Sequence, residues 1–226
     1  MKYLILVVVF ILLILLIRLI HVATSPGRFA GYWQNEAKKP TQPNSLIYMA
    51  LGDSLSQGVG ASSPAKGMIG ILANRISTKT GRPVHVINIS KSGARIADVL
   101  KDQLPLLLSQ NPKPDIITLD IGSNDLSQYD IVKFDKEFSE LAAQLPKDSI
   151  VIEISPYFKG KAVAANEIIN RHVKDNGLVL SSIKESGVNL NLNWLEYSGD
   201  FFHPSNRGYK KWADVFWAAI EPTITN

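Results

Sequence analysis

The chain has 226 residues, 46% of them hydrophobic and 19% charged, with no cysteine and a formal charge of +4. That length fits one domain of ordinary size with an appendage, and the apolar content excludes a disordered chain. The missing cysteines exclude a disulfide scaffold, thiolate zinc sites, thiol catalysis and lipoprotein acylation. The excess charge does not mark a nucleic-acid binder. Residues 1–44 hold Lys2, Arg18, Arg28, Lys38 and Lys39 against Glu36 alone, and the two signs balance in residues 45–226.

Residues 3–17 are an unbroken apolar run, and Leu19, Ile20, Val22 and Ala23 lengthen it enough to cross a bilayer if Arg18 snorkels to the interface. Residues 1–23 are therefore expected to be a transmembrane anchor or a signal segment. Signal cleavage needs small residues at positions −3 and −1. His21 with Ala23, or Ala23 with Ser25 ahead of Pro26, meet that need poorly, which favours an uncleaved anchor. The following domain is expected outside the cytoplasm, while the basic residues on the C-terminal flank of the anchor argue for the opposite orientation and leave the two in conflict. Residues 24–44 contain Pro26, Gly27, Gly31, Pro40 and Pro43 without periodicity and read as a flexible linker, roughly 25 Å across as a coil.

From residue 45 to 226 short apolar runs alternate with longer helical stretches. Strands are predicted at 46–51, 84–89, 116–121, 150–154 and, more weakly patterned, 188–192; helices at 68–80, 96–109, 134–144, 162–176 and 206–220. Strands apolar on both faces with helices between them imply an α/β fold with a parallel five-stranded sheet covered on both sides. Ligands gather at the carboxyl ends of such strands. Two loops there stand out: Gly52-Asp53-Ser54-Leu55-Ser56-Gln57-Gly58 after the first strand and Gly122-Ser123-Asn124-Asp125 after the third.

Ser54, just past a strand among small residues, is placed to expose a hydroxyl, and a serine nucleophile needs a base and a group that orients the base. Of the four histidines, His21 lies in the membrane segment, His85 in a strand and His172 in a helix. Only His203 has a loop setting, with Asp200 three residues ahead and Pro204 behind. Gly93 after the second strand offers an open backbone amide and Asn124 after the third a carboxamide, both suited to a developing oxyanion.

These residues resemble the SGNH or GDSL hydrolases. Gly52-Asp53-Ser54-Leu55 matches the first block, Gly93 the second, Gly122-x-Asn124-Asp125 the third and Asp200-x-x-His203-Pro204 the last, in family order across residues 46 to about 220. The resemblance implies a flavodoxin-like three-layer α/β/α sandwich. It also implies Ser54 as nucleophile, His203 as base, Asp200 as its orienting acid, and an oxyanion hole from the Ser54 amide, Gly93 and Asn124. The extended form through Ser56, Gly58 and Gly60 looks most like the bacterial lysophospholipase and thioesterase branch. The expected activity is hydrolysis of an acyl or acetyl ester, either a lysophospholipid-like lipid or an O-acetylated envelope glycan. The alternative is a non-catalytic flavodoxin-like module holding a nucleotide or flavin phosphate in the loop at 52–63.

Asp53 and Asp125 read as helix caps or loop struts, and Asp120 as a buried hydrogen-bonded group or a substrate contact, the structural role being favoured. Trp194, Tyr197, Phe201 and Phe202 are equally compatible with core and with an acyl or sugar pocket. No acidic or histidine cluster has metal-ligand spacing, so neither metal nor cofactor is expected. The expected partners are the ester substrate and the membrane, with the chain a monomer.

Overall fold

A computed structural model describes residues 2–128 and 130–224. Five parallel strands, β1 (Leu46–Gly52), β2 (Val84–Asn88), β3 (Ile116–Asp120), β4 (Ile150–Ile152) and β5 (Val179–Ser181), stand in the order β2-β1-β3-β4-β5. Pairing of Tyr48 with both Val86 and Ile116 fixes the register at the centre. Every residue of β1 is buried, and alternation along it feeds two cores. Ile47, Met49 and Leu51 join the core that packs α6 (Ile131–Gln144) and α7 (Gly160–Asp175). Leu46, Tyr48 and Ala50 join the opposite one, with α3 (Met68–Thr80) and α8 (Asn206–Ile220). The result is the three-layer sandwich expected.

The stretch 96–109 is helical throughout but not regular: α4 (Ile96–Asp98) passes through a π-helical segment, Val99–Gln103, into α5 (Leu104–Ser109). The wider turn aims Gln103 back at β1, where its amide donates to the Gly52 carbonyl at 2.9 Å and its Oε1 accepts from the Gly52 amide at 2.8 Å.

Two expectations need correction. The fifth strand is Val179–Ser181, paired with β4, while residues 188–192 are irregular chain with Leu190 buried. Glycine at position 177, with φ +67°, ends α7 and turns the chain directly into the sheet, leaving room for only a three-residue edge strand. The second correction concerns residues 24–37, which are not a flexible linker: α1 runs unbroken over Lys2–Ala37. Pro26 costs it the hydrogen bond to the Val22 carbonyl. The Ser25 hydroxyl supplies a replacement donor to that carbonyl at 2.8 Å. Val22, Ser25, Phe29 and Trp33, spaced one helical turn apart, are buried against the domain. The same face lies beside β2 and so covers an edge strand. Residues 2–20 are exposed, and this helix is long and apolar enough to cross a membrane.

Candidate active site

The turn that carries Ser54 is built on a close approach of two strands. Gly52 ends β1 at φ +137°, where an added Cβ would meet the Asp120 carbonyl oxygen of β3 at 2.2 Å, so no other residue fits. Asp53 follows, its Oδ1 accepting from the Leu55 amide at 2.9 Å, and Ser54 opens the one-turn helix α2 (Ser54–Gln57). The side chain of Ser54 thereby stands at the carboxyl end of the sheet with its backbone amide in a first helical turn, where amides have no partner within the helix.

The histidine arrives from the far end of the chain. His203 Nε2 lies 3.0 Å from Ser54 Oγ, and His203 Nδ1 lies 2.6 Å from Asp200 Oδ2. A tight loop holds the pair: the Ser198 amide donates to the His203 carbonyl at 2.8 Å, and Tyr197 and Pro204 form an antiparallel bridge. Asp200 Oδ1 accepts from the Ser198 hydroxyl and from the amides of Phe202 and His203 at 2.8, 3.1 and 3.0 Å. Burial acts to raise the Asp200 carboxyl, but the donors from His203, Ser198 and Phe202 outweigh it and hold the group well below the usual carboxylate range. Asp200 is thus a fixed anion that selects the His203 tautomer with a proton on Nδ1, leaving Nε2 to accept from Ser54. The edge of the Phe202 ring closes on His203, centroids 5.0 Å apart, and Gly60 lets the nucleophile loop run against the histidine. A Cβ at Gly60 would meet Pro204 O at 2.7 Å and His203 Cβ at 2.9 Å.

Gly93 adopts φ +81° with open space where a Cβ would stand, and among the described residues its amide has no acceptor. Asn124 is less free than its sequence setting suggests. Its Nδ2 donates to Asp53 Oδ2 at 3.1 Å and to the Ala94 carbonyl at 2.9 Å, tying the third strand's loop to both the nucleophile turn and the Gly93 turn. Asp125 accepts from the Ile96 amide at 3.3 Å, so Asp53 and Asp125 both hold helix starts. Burial pushes the Asp53 carboxyl up to about 7 and that of Asp125 up to about 6. Asp120 is buried as well. Desolvation and the neighbouring Asp53 raise its carboxyl far above the usual range, and its Oδ2 has no partner. Among the described residues no cluster could hold a metal ion.

Residues 50–211 match the GDSL-like lipase/acylhydrolase family. The chain belongs to this family. It is 28% identical over 203 residues to the spore germination lipase LipC of Bacillus licheniformis, a match covering 77% of this chain and 96% of the relative. Among solved structures it is similar to TesA, with a TM-score of 0.66 at 20% identity over 79% of this chain and 99% of the other. It is also similar to a family 3 carbohydrate esterase from Clostridium thermocellum, with a TM-score of 0.64 at 20% identity over 79% and 97%. The chain is accordingly an ester-bond hydrolase.

A GDSL-like hydrolase needs space beside its serine, and the cleft here is lined by Ser54, Asn124, Tyr157, Phe158, Tyr197 and Phe202. Tyr197 and Phe202 of the aromatic cluster thus face the site, whereas Trp194 and Phe201 are exposed at 68% and 58%. Sequence reasoning did not single out Tyr157 and Phe158. They sit in the turn just after β4, so the strand-end rule that located the other loops would have found them.

Proposed function

We propose that this GDSL-like hydrolase is a membrane-anchored serine esterase in which Ser54 is the nucleophile, His203 its base and Asp200 the orienting acid. The observation that carries the reading is the unbroken hydrogen-bonded path from Ser54 Oγ through His203 to Asp200, at 3.0 and 2.6 Å. Ser54 Oγ attacks the ester carbonyl while its proton passes to His203 Nε2. The imidazolium, held by Asp200, returns that proton to the departing alkoxide. Water, deprotonated by the same histidine, then cleaves the acyl-enzyme. The Ser54 and Gly93 amides stabilise the tetrahedral oxyanion, and Asn124 joins them by sharing one of its two amide hydrogens. The family membership and this array set aside the nucleotide- or flavin-binding alternative.

The aromatic-walled cleft is small, about 40 Å³, room for a group of about three heavy atoms. A short acyl group, acetyl above all, fits this space best, with the alcohol portion left outside. The lipase and carbohydrate-esterase relatives span the two alcohol classes considered, lipid and glycan. Burial of Val22, Ser25, Phe29 and Trp33 in the domain supports an uncleaved α1, because cleavage after Ala23 or Ser25 would cut inside the docked helix.

A fluorophosphonate probe and a chain-length series of p-nitrophenyl esters test the reading. The wild-type chain is expected to label and to prefer acetate to long acyl chains, and Ser54→Ala to do neither while keeping its fold. Wild-type activity in Ser54→Ala would overturn the mechanism; a preference for long chains would overturn the short acyl site.

A further inference from the structure

Resting on the reading of α1 as an uncleaved anchor, we propose that the exposed apolar side chains of Trp194, Leu195 and Phe201 form a docking surface for the lipid bilayer, holding the mouth of the active site at the membrane interface. The placement follows from helix arithmetic. Residues 3–17 of α1 span only about 22 Å at ~1.5 Å per residue, against a hydrocarbon core of about 30 Å. The apolar boundary therefore extends along α1 to the level of Arg18–Val22, with the Arg18 side chain snorkelling outward. Tilting the helix brings the boundary further still along its axis.

The domain begins at that same level. Gly199 lies against the backbone of Arg18, where even a Cβ would come to 2.7 Å, and Arg18 Nη2 donates to the Tyr197 carbonyl at 3.4 Å. His21 Nε2 bonds the Ala61 carbonyl at 2.8 Å, so the helix meets the nucleophile loop and the histidine loop together. Leu195 shares a cleft with Ile17 and Arg18 of the helix. The segment held at bilayer height is thus the loop that carries Asp200 and His203. It presents Trp194, Leu195 and Phe201 exposed at 68%, 45% and 58%. Phe201 does so at φ +54°, a conformation costly for a bulky side chain. Aromatic and leucine side chains of this kind are stabilised where hydrocarbon meets headgroups. Continuity with the exposed apolar face of α1 identifies the occupant as the bilayer that α1 enters.

The test uses the full chain reconstituted in vesicles of phosphatidylcholine and phosphatidylglycerol, with and without bromine on the acyl chains. Trp33 and Trp212 are buried and Trp217 is half-buried, which makes Trp194 the most exposed tryptophan fluorophore. Brominated lipid is expected to quench a fraction of the emission in the wild type, and that fraction is expected to vanish in Trp194→Phe. In Trp194→Ser/Leu195→Ser, hydrolysis of an acetate ester of a membrane-embedded long-chain alcohol should fall roughly tenfold, with soluble p-nitrophenyl acetate turnover unchanged. A chain that stays in the vesicles after alkaline extraction yet shows no Trp194-dependent quenching overturns the docking surface and spares the anchor. A chain released by that extraction, or shortened by mass, overturns the anchor and the docking with it. Emission that responds to protein concentration instead of brominated lipid assigns the patch to a second copy of this chain and likewise overturns the proposal.

Discussion

Replacing Asn124 by alanine separates two jobs that one side chain performs. The carboxamide makes hydrogen bonds of 3.1 Å to Asp53 Oδ2 and 2.9 Å to the Ala94 carbonyl. An ordinary hydrogen bond contributes about 1 kcal/mol and one to a carboxylate about 1.5–3 kcal/mol. Asp53 is almost wholly buried, so its abandoned oxygen finds no water to replace the donor. Asn124→Ala is therefore expected to lose about 2–4 kcal/mol of stability, read by urea unfolding. As an oxyanion donor the same amide would account for a further, separate loss of 10²- to 10³-fold in kcat, about 2.7–4 kcal/mol of transition-state stabilisation. Because that contact forms only in the transition state, kcat and kcat/KM should fall together with KM little changed. The assay is p-nitrophenyl acetate hydrolysis at a temperature where the variant remains fully folded. A kcat within about threefold of wild type, alongside the expected destabilisation, would refute the oxyanion role and leave Asn124 as a strut between three loops.

Gly60→Ala should damage activity and stability together. Its φ of +95° and the contacts at 2.7–2.9 Å with Pro204, Ser198 and His203 predict a loss of about 2–5 kcal/mol in stability. A shift of the histidine by about 1 Å costs on the order of 10²-fold in turnover, and wild-type turnover would contradict the close approach. Asp120→Asn should alter the pH dependence of stability. Burial raises Asp53 and Asp120 above their unfolded values, so the folded state holds extra protons, and stability is full below about pH 4 and declines as pH rises through about 7. Each such group steepens the fall by up to about 1.4 kcal/mol per pH unit. Thermal melts between pH 5 and 8 should be flatter in the variant, and an equal slope would show that Asp120 is ionised in the folded protein. Trp33→Phe removes the bond from Trp33 Nε1 to the Gln57 carbonyl, 3.0 Å at the end of α2, and should lower stability by about 1–3 kcal/mol. An unchanged melting temperature would mean that α1 does not brace the nucleophile helix.

What could be read in advance was set by how strongly each segment's pattern depends on its own residues. The strands at 46, 84, 116 and 150 are apolar enough to declare themselves, and Ser54, Asp200 and His203 each carry local constraints, a glycine turn or a short loop, that single them out, and the fold brings the three within hydrogen-bonding distance. The fifth strand was displaced because Val179–Ser181 is short and gains its pairing from β4, whereas residues 188–192 alternate correctly but have no strand to pair with. Residues 24–37 misled through their turn formers. A side chain at Gly27 or Gly31 would meet nothing, and the signal that mattered was the stripe Val22, Ser25, Phe29 and Trp33, masked by Pro26. The engagement of both Asn124 hydrogens was not legible at all, since it depends on three loops meeting in space.

Ser54 and His203 are 149 residues apart, and the serine loop is fixed to α8 by the Tyr209 hydroxyl, which donates to the Val59 carbonyl at 2.6 Å. A chain emerging from the ribosome therefore carries Ser54 for most of its synthesis without its histidine partner. Contacts of such long sequence separation form late because the intervening loop must first be closed. On the proposed mechanism, hydrolytic competence waits for the last helix to pack, and folding itself serves as the activation step.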